Sequence, residues 1–192
     1  ESALNFEFQP FTVNNINMGK WFLMDSGDVD KDGDEDIILS SFTYGFSTAP
    51  GDTIAHVDKN IALGKVISAG GYDTIFVQDR TDINKDHNEL FESALVACRP
   101  YPGQHVKHLL SYYVNSSTEW GNLLKKQPFN PNVFIDISST IDDKLTAMSK
   151  YTTEIRDYPH PRSTEAIRNS AKYFGNMVGV EYAEPFYLVY TK

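Results

Sequence analysis

Two stretches carry residues whose types and spacing suit metal or proton chemistry. One is Asp82-Ile83-Asn84-Lys85-Asp86-His87, two carboxylates and an imidazole within a few positions. A histidine there can reach a metal or a substrate while a nearby carboxylate orients it. The plainer reading is an aspartate that caps a helix beside a surface histidine. The other stretch is Asp28-Val29-Asp30-Lys31-Asp32-Gly33-Asp34-Glu35-Asp36. Carboxylates at alternate positions around a glycine turn suit a hard cation that takes about six to eight oxygens. Asp28, Asp30, Asp32 and Asp36 would ligate through side chains, and Asp34 could offer its backbone carbonyl. An EF-hand would need a glutamate at the end of the loop, where this chain has Leu39, so the expected calcium loop is of another sort. Crowded aspartates repel one another unless a cation is present.

The first stretch lies between two elements that would hold it. Thr74-Ile75-Phe76-Val77-Gln78 reads as a short buried strand. From Asn88 to Cys98 the apolar residues Leu90, Phe91, Ala94, Leu95 and Cys98 fall on one helical face. Asp86 followed by Glu89 resembles a capping box, which puts His87 in the first helical turn. A strand that ends in a polar loop opening a helix is where α/β sheets place ligands.

The acidic balance is local. Residues 28–36 sum to −5, leaving only −4 of the net −9 for the rest of the chain. That points to a concentrated cation site, and the lack of a basic stripe argues against nucleic acid. With 41% hydrophobic and 13% aromatic residues the chain is globular, not disordered. Cys98 is the single cysteine, which excludes an internal disulfide framework and fits a buried thiol. No apolar run approaches the roughly 18 residues of a membrane span. Glu1-Ser2-Ala3-Leu4 shows no basic segment followed by an apolar one, so no export leader is expected from the residues at hand.

Along the chain, residues 1–46 read as short strands and turns, with Trp21-Phe22-Leu23-Met24 and Ile37-Ile38-Leu39 as apolar runs. The Gly- and Pro-containing stretch Gly45 to Gly51 suggests a linker at 47–51. Beyond it, helices and strands alternate. A helix is expected over 58–69, a strand over 106–114 and another over 132–137. A helix opened by Ser139 and Asp142 should run to about 153, and a last helix should cover 164–175. A terminal strand over 186–190 completes the pattern, which predicts an α/β domain with a mostly parallel sheet.

Gly19 to Asp28 and onward to Ser41-Phe42 resembles one blade segment of the VCBS/FG-GAP β-propeller repeats, over about residues 5–46. That resemblance implies Ca²⁺ at Asp28, Asp30, Asp32, Asp34 and Asp36. No second copy of the aspartate loop is present to close a propeller. Residues 52–192 resemble the C-terminal portion of the LmbE/PIG-L family of zinc-dependent N-deacetylases. The motifs are Asp82-Ile83-Asn84-Lys85-Asp86-His87, Ser117-Thr118-Glu119-Trp120, Pro131 to Ser138, Tyr158-Pro159-His160-Pro161-Arg162-Ser163 and Gly179 to Phe186. The resemblance implies an incomplete Rossmann-like fold and removal of acetyl from N-acetylglucosamine-type sugars by metal-activated water. It implies His87 as a Zn²⁺ ligand, and Asn84 stands where many members have a second histidine. Glu119, His160, Arg162 and Tyr182 fall in family motifs as substrate-side candidates.

The chain departs from the family in lacking an Ala-His-Pro-Asp-Asp-Glu motif, which supplies the other zinc ligands and the general base. The nearest string, Ala55-His56-Val57-Asp58, has the wrong spacing. The general base is therefore unassigned. The alternative expectation is a non-catalytic module stabilised by calcium. A sheet short of its first third invites a second copy or a partner chain to complete it. The repeat part implies export and the deacetylase part a cytoplasmic place.

Overall fold

The computed structural model describes residues 71–125 and 128–192 continuously, and short stretches at 12–13, 16–17, 22–27, 36–41, 63–64 and 67–68. In chain order the strands and helices begin with β1 (Thr12–Val13), β2 (Ile16–Asn17), β3 (Phe22–Gly27), β4 (Asp36–Ser41) and β5 (Thr74–Gln78). They continue with α1 (Lys85–Ala97), β6 (His108–Tyr112), α2 (Thr118–Lys125), β7 (Val133–Asp136), α3 (Ile141–Ser149), α4 (Thr164–Val178) and β8 (Ala183–Thr191). Within the helix expected over 58–69, only 63–64 and 67–68 are described, and they are helical.

β1 and β2 pair with each other, and the other strands form one sheet in the order β3-β4-β5-β6-β8-β7. β4 runs parallel to β5, and β5 parallel to β6. β3 is antiparallel to β4, and β8 is antiparallel to both of its neighbours. The sheet is therefore mixed, where the alternation of elements had predicted a mostly parallel one. The reason lies in the connections. A single helix joins β5 to β6, and another joins β6 to β7, which keeps those strands in one direction. Two helices, α3 and α4, stand between β7 and β8, so the chain has turned once more and β8 returns antiparallel. The architecture is α/β with a sheet flanked by helices, as expected.

β5 is buried along its whole length, with Ile75 and Val77 on one face and Phe76 on the other. A strand covered on both faces reads as a continuous apolar run, which is what Thr74–Gln78 shows. Leu90, Phe91, Ala94 and Cys98 of α1 and its end pack on Ile75, Val77, Val106 and Leu109. That stripe is the apolar face whose 3.6-residue period announces the helix. On the opposite face, Phe76 meets Phe186 edge to face at 5.4 Å. Phe174 of α4 joins Tyr113 and Phe134 in an aromatic cluster there. A second small core, formed by Ile141, Leu145, Ile167 and Ala171, fastens α3 to α4.

Helix ends differ from expectation in two places. Asn84, not Asp86, caps α1: its side chain accepts from the Asp86 backbone N–H, and Asp86 lies inside the first turn. Both residue types cap well, so spacing alone does not separate them. His87 does fall in that first turn. α3 stops at Ser149, short of the expected 153, because Lys150 to Ile155 form turns closed by bonds such as Glu154 N–H to Tyr151 C=O at 2.9 Å. α4 is capped by Ser163, whose hydroxyl accepts from the Ala166 N–H. It ends at Gly179, which takes the left-handed conformation (φ 79°) that only glycine adopts cheaply.

Candidate functional site

Asp82 is the anchor of the site. It is fully buried (0% exposed) in the turn between β5 and α1. Its Oδ1 accepts from the Asn84 N–H at 2.8 Å and from the Ser117 hydroxyl. Its Oδ2 accepts from Thr118 Oγ1 at 3.3 Å and lies 3.0 Å from His87 Nδ1. The last contact falls outside hydrogen-bond angles, so it acts as a close polar and charge contact. Burial alone would raise the Asp82 pKa, but His87, Ser117 and the Asn84 backbone together hold it below its ordinary value. The carboxylate is therefore a fixed anion, and it holds the imidazole from the Nδ1 side. His87 itself lines the cavity described below.

The segment bearing Asp82 is held from behind by α2. Ile83 donates to the Ser117 carbonyl, while Lys125 Nζ and Asn88 Nδ2 donate to the Asp82 carbonyl. Gly121 makes the approach of α2 feasible: a Cβ there would stand 1.9 Å from the Thr81 carbonyl oxygen. Ser116, in the left-handed region at φ 68°, makes the turn into α2. Glu119 accepts from the Ser116 and Ser117 N–H groups, so its carboxylate stabilises the start of α2. Burial first, and the Glu119 carboxylate second, push the Tyr113 phenol above its ordinary pKa.

A cavity of about 550 Å³ opens where β5 and β6 end and β8 begins. Gln78, Asn84, His87, Tyr113, Ser116 and Ser117 form its floor and one side. The other side comes from α3 and the turns after it, with Lys144, Met148, Tyr151, Glu154 and Arg162. Glu184 at the start of β8 closes the ring and pairs with Lys144 at 2.6 Å. Arg162 Nη1 pairs with Glu154, and its Nε is buried without a hydrogen-bond partner among the described residues.

Of the residues singled out in the sequence, Asn84, His87 and Arg162 line this cavity together. Glu119 lies behind it at the start of α2. His160 packs edge-on against Trp120 at 5.9 Å and accepts from the Arg162 N–H, so it shapes the turn that presents Arg162. Tyr182 packs against the α3–α4 core with the Arg168 guanidinium over its ring at 5.7 Å. Asp28, Asp30, Asp32 and Asp34 lie outside the described residues. Asp36 opens β4 opposite Gly27.

Sequence reasoning missed Ser117 and Thr118 as partners of Asp82, and Lys144, Tyr151, Glu154 and Glu184 as cavity residues. Ser117, Thr118 and Glu184 lie in strings on which the family resemblance rests, but no local spacing assigns them these contacts. Among the described residues no three His, Cys, Asp or Glu side chains converge to hold a metal ion. A catalytic zinc takes three protein ligands and a water. No such set is present among the described residues, so their side chains do not by themselves fit a zinc centre.

No family model matches the chain, and no curated protein matches it. Solved structures do. The conserved protein TT1542 of Thermus thermophilus superposes with a TM-score of 0.54 at 24% identity, over 70% of this chain and 59% of that one. The N,N'-diacetylchitobiose deacetylase of Pyrococcus horikoshii superposes with a TM-score of 0.52 at 18% identity, over 69% of this chain and 51% of that one. The chain thus spans little more than half the length of these structures. The likeness establishes a fold of the deacetylase type.

Proposed function

We propose that the cavity at the ends of β5 and β6 binds a small N-acetylated sugar, with hydrolysis of its acetamide as the reaction class. The observation that carries this reading is the buried Asp82 carboxylate seated against His87 at the wall of the cavity. A deacetylase among the structures of like fold supports it. Volumes of about 300–1,000 Å³ are usual for small-molecule sites, and this one lies within that range. The chain's own residues would do the following. Asp82 fixes the imidazole, Asn84 and Ser116 border the place where an acetyl group would lie, and Tyr151 with Met148 covers one face of a sugar ring.

A second reading is binding without turnover. What favours it is that no three His, Cys, Asp or Glu side chains converge to hold a metal among the described residues. Acetate release from N-acetylglucosamine and from N,N'-diacetylchitobiose, assayed with and without added zinc, separates the two. Turnover that is abolished in His87→Ala supports hydrolysis. Sugar binding with no acetate under either condition overturns hydrolysis and leaves the binding reading. We also carry calcium at residues 28–36 as a proposal, supported by the alternation of aspartates around Gly33. It requires calcium to raise the thermal midpoint in a way that Asp30→Asn with Asp32→Asn removes.

A further inference from the structure

Resting on that reading of the cavity, we infer that it selects an uncharged N-acetylated sugar over a phosphorylated one, and that Glu154 and Glu184 set the preference. Three cationic or potentially cationic side chains are among the described lining residues, namely His87, Lys144 and Arg162. Each already faces a carboxylate. His87 sits on Asp82, Lys144 on Glu184 at 2.6 Å, and Arg162 on Glu154. Lys144 and Glu184 are 36% and 26% exposed, Arg162 and Glu154 30% and 22%, so both pairs border the cavity instead of lying in open solvent.

A phosphate ester entering such a wall gains a cation only by displacing a glutamate, and it then lies beside that displaced charge. Like charges brought together at a partly desolvated site oppose binding strongly. A hydroxyl group meets no such conflict. It can donate to a glutamate oxygen and accept from a lysine or arginine N–H at the same time. Tyr151, 37% exposed, and Met148 add an apolar surface on the same side. A ring with polar edges and an apolar face, carrying no net charge, satisfies the whole set.

The test is titration calorimetry of the full chain with N-acetylglucosamine and with N-acetylglucosamine 6-phosphate, in wild type, Glu154→Gln and Glu184→Gln. In wild type the phosphate ester should bind about tenfold or more weakly than the neutral sugar. Each substitution frees one cation and should narrow that gap by about tenfold while keeping the shape of the side chain. Equal or tighter binding of the phosphate ester to wild type overturns the inference and leaves the sugar reading in place. Binding of neither ligand overturns both. A gap unchanged in both variants, each shown to be folded by its denaturation curve, overturns the assignment to Glu154 and Glu184.

Discussion

Removing the Asp82 side chain should cost far more stability than an ordinary turn substitution. In Asp82→Ala the Ser117 hydroxyl, the Thr118 hydroxyl and the Asn84 N–H lose their acceptor together, and His87 loses its neighbour. Ser117 and Thr118 are buried, so water does not readily replace the carboxylate. Each buried donor left without a partner costs about 1–3 kcal/mol. The hydroxyls can rotate toward other acceptors and Asn84 is partly exposed, so we expect a total loss of about 3–5 kcal/mol for Asp82→Ala. Asp82→Asn keeps one acceptor oxygen and should lose about 1–3 kcal/mol. Urea unfolding followed by far-UV circular dichroism measures both, with an unchanged slope showing that stability alone has moved.

The same carboxylate gives the pH dependence its sign. Its pKa is lower in the folded state than the ordinary 3.8, so the unfolded chain takes up the proton first. Its contribution is complete at neutral pH and is lost as pH falls below that ordinary value toward the folded one. Wild type should therefore lose stability more steeply on acidification than Asp82→Ala. An Asp82→Ala protein within about 0.5 kcal/mol of wild type, with an unchanged acid limb, would refute the reasoning.

Other expectations follow from the packing. Gly121→Ala forces a methyl group onto the Thr81 carbonyl, and overpacking of this kind should destabilise the protein by about 2–3 kcal/mol in the same urea assay. Burial pushes the Cys98 thiol up to about 12, so a thiol-specific reagent at pH 8 should label it only when the chain is unfolded in denaturant. Ser163→Ala removes the acceptor for the Ala166 N–H and should cost about 1 kcal/mol without changing the position of the cavity.

What the sequence made legible was local. The apolar run at Thr74–Gln78 and the 3.6-residue stripe from Leu90 to Cys98 announce a buried strand and the helix on it. The polar stretch between them announces the start of that helix, with His87 in the first turn. The rest depended on contacts distant in the chain. Asp82 meets Ser117 and Thr118 some 35 residues away, and no local pattern records that pairing. Glu119 lies in a suggestive string, but its oxygens accept backbone N–H groups at the start of α2. The helix expected to run to about residue 153 put Tyr151 within it and Glu154 just past its end. In the structure the helix ends at Ser149 and turns carry both residues to the cavity. Both helices before β8 were legible, but the side on which β8 enters the sheet, between β6 and β7, is set by contacts distant in the chain.

The most direct measurement is chemical-shift mapping of the isotopically labelled protein during titration with N-acetylglucosamine. Binding in the cavity should shift the resonances of Gln78, Asn84, His87, Ser116, Tyr151 and Arg162, while those of the α1 face packed on β5 stay in place. An absence of shifts at millimolar sugar, or shifts confined to residues away from the ends of β5 and β6, would contradict the assignment of this cavity as a sugar site.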